Sequence, residues 1–430
     1  MFFGILANQC SGLLIVSLYS LTTVAMTVQW STEEPHNMSN ALHVSEVSTS
    51  RYDLGPMSST RLYQQEAREV TKAPSGDTRV LEVQFLDTHR GKWFRYSFSY
   101  MLVPAVNLLG ILSNISNITV FIKAGLKDGA SVIFVSLSLS DMLYSCFSIM
   151  NRVLRLLEYG LNQHPQLKLS HLAFIVSPYG RLFFDISILI TVFAGVQKCA
   201  CVAIPLTFRH FFTFKKSVVT LVSIFICALV YYLPQLSNYY MAARFDRRFN
   251  RTRLMVATGN YRMAVTLSRL SKSVNRISLP IVAEGILIFC VCVMTYKLRQ
   301  AAVTRKSMTS ALAQDEKAAD GKDGNDNATG SNLSKKELRV IRSVNIICAV
   351  FVVGTAPRCI IEACDLAFKD FGDFSAYESL YSFISSLQDL IIALSIAANI
   401  VVYYKFNTKY RETFWEVFSC LLKETGKHKK

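Results

Sequence analysis

From residue 96 onward the chain alternates between long apolar runs and short polar stretches. Seven such runs lie near 96–122, 129–150, 182–208, 217–241, 277–296, 343–361 and 379–404. A helix needs about 20 apolar residues to cross a bilayer. In lipid only a helix or a closed barrel satisfies its own backbone, so runs of this length predict seven membrane helices. The third run, LFFDISILITVFAGVQKCACVAIPLTF, carries Asp185 near one end and Gln197-Lys198 near the other. An ionisable group at membrane depth marks a functional interior rather than a lipid face. This run is therefore expected to be the central helix, with the others around it.

The flanking segments read differently. Residues 1–30 are apolar without Lys or Arg, and Thr23-Val24-Ala25 offers a small-residue cleavage site. A signal peptide or an uncleaved signal anchor fits this pattern. Residues 31–95 are polar, mixed in charge and carry the sequon Asn37-Met38-Ser39; they are expected to form an extracellular tail. The connection 298–342 contains AQDEKAADGKDGNDNATGSNLSKK, low enough in apolar residues to predict a disordered cytoplasmic loop. After residue 404, Phe406, Tyr410, Phe414 and Phe418 recur every four residues beside Lys405, Lys409 and Arg411. Residues 405–430 thus read as an amphipathic helix lying on membrane lipid, followed by a tail. Cys420 is its candidate palmitoylation site.

Composition sharpens this. Of 430 residues, 51% are hydrophobic and 18% charged, against about 25% charged in a soluble domain. The net charge of +16 sits mostly between the apolar runs, where it faces anionic lipid rather than nucleic acid. Eleven Cys are present, but none falls in 31–100 or 242–276, so no disulfide-stapled ectodomain is expected. No P-loop, metal-spaced His cluster or nucleophile elbow is present, and the chain does not read as an enzyme or imply a cofactor. Basic residues flank both faces of the bundle, including nine Lys or Arg in 242–276. Charge asymmetry therefore does not orient it. The N-terminal segment and the sequon Asn250-Arg251-Thr252 place the N-terminus outside a plasma membrane.

Short motifs add a family. GILSNISNITVF holds Asn114, VSLSLSDML holds Asp141, and QKCACVAIPLTF holds Lys198 with Pro205-Leu206. Phe351 and Pro357 keep the F-x-x-C-W-x-P spacing, and ANIVVYYKF holds Asn399 and Tyr403 in place of N-P-x-x-Y. In order, over about 96–418, these resemble a rhodopsin-like (class A) G-protein-coupled receptor. GLKDGASVIFVSLSLSD, KCACVAIPLTF, ARFDRRFNRTRL and ANIVVYYKFNTKYRETF are similar to the divergent gastropod chemosensory receptors. The resemblance implies an all-α bundle of seven transmembrane helices with a short interfacial eighth. It also implies a receptor that passes extracellular ligand binding to a heterotrimeric G protein. Departures are clear: Lys198 stands for the family's Arg, Gly354-Thr355 for Cys-Trp and Ile400 for Pro. A ligand-gated channel or transporter, or a signalling-dead seven-helix trafficking or scavenging protein, are the alternative readings.

The resemblance places Asn114, Asp141, Ser187 and Asn399 at a buried sodium pocket; a protonated Asp141 bonded to Asn114 and Asn399 is the other reading. It places Lys198 and Glu337 at a resting contact between the third and sixth helices, with Pro205, Leu206 and Tyr403 at the coupling end. Nearer the outside, Arg181 and Asp185 are four apart, as are Arg358 and Glu362, and Asp389 faces the same region. They either pair with one another structurally or line a polar ligand cavity. Gly180 occupies the place of the amine receptors' Asp, which disfavours an amine ligand. The basic stretch 242–276 favours an anionic one, unless it pairs as a lid with the acidic stretch 364–378. Glycosidase mapping should find sugar on Asn37 and Asn250 and none on Asn327 or Asn332; sugar on Asn327 would invert the topology.

Overall fold

The computed structural model describes residues 86, 88–126, 128–160, 168–204, 208, 211–246, 250–315, 335–368 and 377–427. Helix α1, His89–Ala124, starts at Thr88, whose Oγ1 accepts from Gly91 N at 3.1 Å, and widens to a π turn at Phe98–Leu102. It stops at Gly125, whose φ of 89° an L side chain resists. Then come α2 Gly129–Gly160, α3 Leu169–Ala203 and α4 Phe214–Asn238. An antiparallel hairpin of β1 Tyr239–Asp246 and β2 Arg251–Thr258 follows. Helix α5 runs unbroken from Tyr261–Leu270 through a π turn, Ser271–Ser278, into Leu279–Asp315. Helices α6 Lys335–Ala367, α7 Glu378–Phe406 and α8 Thr408–Lys427 complete the order. Six of the described helices are long and apolar enough to cross a membrane by length and composition. Helix α6 packs among them as the seventh.

Helix α3 is the central one. In its most apolar window 67% of the residues are buried, against 22–44% in the other five. Two faces explain this. Phe184, Ile188 and Val192 pack with residues of α1, α2, α5, α6 and α7. Leu182, Ile186, Ile190 and Ala194 pack on Leu221, Ala228 and Tyr232 of α4. Each set recurs every four residues, so one helix presents apolar stripes on opposite sides and leaves no lipid face. Helix α8 is fastened from beneath. Tyr410 Oη donates to Asn117 Oδ1 at 2.7 Å, and Asn117 Nδ2 donates to Asn114 Oδ1 at 3.3 Å. Burial holds the Tyr410 phenol above its ordinary pKa, so it stays a donor. Around this bond Phe121, Phe134, Tyr403 and Tyr410 stack with centroids 4.9–5.4 Å apart.

No disulfide joins the described cysteines. The hairpin is held instead by polar contacts from Glu158 of α2 and from Lys168 and His171 at the start of α3. Glu158 Oε2 accepts from Leu169 N at 2.6 Å, answering an unpaired N–H at the start of α3. Its Oε1 lies 3.9 Å from the buried Arg253 of β2. His171 Nδ1 accepts from Val256 N at 3.0 Å, and Lys168 N donates to Leu254 O at 3.2 Å.

Several boundaries differ from expectation. Helix α3 begins at Leu169 and ends at Ala203, rather than spanning 182–208. The stretch 242–276 is a hairpin and the outer part of α5, not a loop. Helix α1 reaches back to His89, into the expected tail. The expected disordered loop 298–342 narrows as well, because Ala-, Lys- and Arg-rich flanks extend α5 to Asp315 and start α6 at Lys335. Residues 1–85 and 316–334 lie outside the described residues.

The α6–α7 seam closes on Gly354, where an added Cβ would fall on Ser395 Oγ. Gly354→Ala should therefore cost ~1–3 kcal/mol, read as a lower unfolding midpoint of the solubilised protein. Ser395→Gly in the same chain should restore it; a double variant no better than the single would show that the seam is not the constraint.

Candidate functional site

The outer half of the bundle gathers the polar residues of α3, α4, α5 and α6. The π turn in α5 matters here. Its wide, eight-residue path brings Lys272, Asn275 and Arg276 against three different carboxylates. Asn275 Nδ2 donates to Asp185 Oδ2 at 2.9 Å, and Tyr232 Oη donates to the same oxygen at 2.6 Å. Tyr231 Oη donates to Asn275 Oδ1 at 2.7 Å, fixing that amide. Arg276 Nη1 lies 3.3 Å and 3.4 Å from the two Glu362 oxygens, and Lys272 pairs with Asp365. On the far side Arg152 of α2 pairs with Asp389 of α7 at 2.5 Å and donates to Ser99 Oγ at 3.0 Å.

The pairing expected within single helices does not occur. Glu362 is taken by Arg276, so Arg358 turns elsewhere: its guanidinium lies 4.8 Å from the centroid of the Phe184 ring. Arg181 and Asp185 remain one turn apart without a hydrogen bond, because Tyr232 and Asn275 hold the carboxylate.

Phe184 is also the roof of an inner cavity. This space holds about 40 Å³ for the centres of water molecules, enough for about three of them. Its polar lining is Asp141, Ser187, Thr191, Thr355, Ser395 and Asn399. Ser187 Oγ donates to Asp141 Oδ1 at 2.5 Å, and Asn399 Nδ2 donates to Oδ2 at 3.0 Å. The fourth expected member stands apart: Asn114 Nδ2 donates to Gly110 O at 2.9 Å, within its own helix. Thr355 of α6 lines this space as well. Its Oγ1 donates to Glu284 Oε1 at 2.7 Å, and Cys359 Sγ reaches the same oxygen at 3.8 Å.

The opposite end of the bundle is sparser. Lys198 is half-buried in α3, and the neighbouring Gln197 Nε2 donates to Ser217 Oγ at 3.3 Å. Tyr403 is buried, and among the described residues its hydroxyl has no hydrogen-bond partner. Pro205, Leu206 and Asn37 lie outside the described residues, as do the side chains of Glu337 and Cys420. Asn250 is exposed at the hairpin turn with φ 49°, a left-handed conformation that Asn tolerates.

This arrangement of helices occurs in a solved structure. The chain superposes on the crystal structure of squid rhodopsin with a TM-score of 0.50, covering 77% of this chain and 82% of that one, at 14% identity. The fold is the helix bundle of that structure. No family model matches the sequence, and no curated protein matches it. The likeness fixes the architecture: a multi-pass bundle of seven membrane helices with an interfacial eighth.

Five contributors escaped the sequence reading: Arg152, Tyr232, Asn275, Phe184 and Glu158. Tyr232 looked like one more apolar aromatic, and Arg276 like one of nine loop bases. The signal available was the surplus of buried polar side chains on α3, which had to be met from somewhere.

The donors around Asp141 suit a hard monovalent cation. They are the Asp141 carboxylate and the hydroxyl oxygens of Ser187, Thr191, Thr355 and Ser395, beside space for an ion and its waters. Sodium at about five times its Kd should stabilise the solubilised protein by about 1 kcal/mol. Asp141→Asn should remove that increment with surface abundance retained. Collapse of surface abundance would assign the cluster a structural role instead.

Proposed function

We propose that this chain is a G-protein-coupled receptor, chemosensory in the narrower reading, that reports an extracellular ligand to a heterotrimeric G protein. The observation that carries it is the sharing of Phe184 on α3 between two polar sites. Arg358 covers one side of that ring, within the outer cluster, and the Asp141 cavity opens on it from within. A ligand that moves Arg358 changes the packing over the inner pocket, where α2, α3, α6 and α7 meet. Activation is then a shift between two helix packings that differ in ligand affinity. No enzymatic step enters this reading.

In this reading the N-terminus is extracellular, the membrane is the plasma membrane and α8 lies on its inner leaflet, with Cys420 acylated. Sodium at Asp141 favours the resting packing. Lys198 with Glu337 holds the inner ends of α3 and α6 together, and Pro205, Leu206 and Tyr403 face the G protein. The likeness of ARFDRRFNRTRL and KCACVAIPLTF to gastropod chemosensory receptors supports the sensory assignment. Lys198 supplies a point charge without the bidentate fork of Arg, which weakens the resting contact and predicts measurable basal signalling.

The test is nucleotide exchange on each G-protein class in membranes bearing the chain, with and without a library of small polar molecules. Exchange that rises with a ligand is expected. Silence across all classes, together with a ligand-evoked current in cells depleted of G proteins, would make the chain a channel.

A further inference from the structure

We infer that the outer end of the bundle holds its ligand by an oxyanion group, carboxylate or phosphate, bound between Arg181 of α3 and Arg358 of α6. This rests on the receptor reading for its consequence and on the local chemistry for its content.

The acids at this end of the bundle are already engaged. Glu362 accepts from Arg276, Asp365 pairs with Lys272 and Asp389 with Arg152. Asp185 takes two donors on one oxygen, from Tyr232 and Asn275. Two guanidinium groups are left over. Among the described residues Arg181 makes no hydrogen bond and no ion pair, and its Nε is buried without an acceptor. Arg358 has only the Phe184 ring, with no carboxylate in ion-pair reach. Arg276 and Arg358 act electrostatically on Arg181, and the single carboxylate that answers them there is Asp185, which is already bonded to Tyr232 and Asn275.

A buried guanidinium without an acceptor is unfavourable, because it has lost water and gained nothing. Pairs of guanidinium forks match the planar or tetrahedral oxygens of carboxylate and phosphate, two N–H groups to two oxygens. An incoming oxyanion supplies the acceptors that Arg181 lacks and draws Arg358 off Phe184.

The basic stretch before the inner part of α5 has a different use. Lys272 and Arg276 fasten the π turn to the outer end of α6. That lid uses neither Arg181 nor Arg358. Lid and anion site therefore draw on separate cations and coexist.

The experiment is thermal unfolding of the purified full chain in lipid nanodiscs. Sodium glutamate, succinate, acetate and phosphate are compared with chloride at equal ionic strength. At least one oxyanion is expected to raise the midpoint saturably. Arg181→Gln and Arg358→Gln should each weaken that response at least tenfold, and Lys272→Gln should leave it unchanged. Response to phosphate alone identifies a phosphoryl ligand; response to the carboxylates alone identifies an organic acid. Arg181→Leu guards against a misfolded variant. With no ligand it should melt at or above the parent, since it removes an unpaired buried charge, and it should be blind to every anion. The proposal is overturned if no oxyanion shifts the parent, or if the shift survives in the Arg181→Gln/Arg358→Gln chain. It is also overturned if Arg181→Leu melts well below the parent. Because the readout is binding, an anion that binds without nucleotide exchange sinks the receptor reading alone. Exchange driven by a ligand without an oxyanion, with no anion binding, sinks this inference alone.

Discussion

The structure depends on one constraint: polar groups carried on a helix without a lipid face must be answered by its neighbours. Asp185 is met by Tyr232 and Asn275, Ser187 meets Asp141, and Gln197 meets Ser217. These contacts run along α3 from its outer half to its inner end and tie it to α2, α4 and α5 in turn. Each fixes the rotation of a partner helix, because a hydrogen bond at membrane depth has no water to replace it. Apolar packing fills the bundle; the polar contacts decide which face of each helix looks inward.

The same constraint separates the two polar sites. Phe184 lies between Asp185 and the Asp141–Ser187 pair, with Arg358 on its ring. An aromatic plate of this kind insulates one set of charges from another while remaining in contact with both. Thr355 lines the inner space and ties α6 to Glu284 of α5. Phe184, with Arg358 on its ring, is the side chain that touches both the outer and the inner set.

Much of the architecture was legible in the sequence, since seven apolar runs of membrane length have few other solutions. Helix ends were not. Residues 169–181 carry Ser170, His171, Ser177 and Arg181, which hide the start of α3; in the structure Glu158 accepts from the first backbone N–H groups and His171 accepts from the hairpin. The hairpin itself was masked by its arginines, because strands exposed on one side can carry charge there. In the site, the residue types were legible and their pairings were not. Arg276 meets Glu362 across 86 positions of chain, and Arg152 meets Asp389 across 237. Spacing of four within one helix suggested partners that the three-dimensional arrangement gave to other helices. Asn114 shows the converse, since a backbone carbonyl of its own helix held it away from Asp141.

The π turn at Ser271–Ser278 places a phase slip inside a continuous helix. A π segment contains one more residue than the α-helix that would span the same rise. Deleting a single residue there would restore regular α-helix and leave the turns on either side facing as they do. Lys272, Asn275 and Arg276 would change neighbours, while Glu284 and the inner half of α5 kept theirs. The three contacts to carboxylates are thus set by eight residues, independently of the rest of the helix.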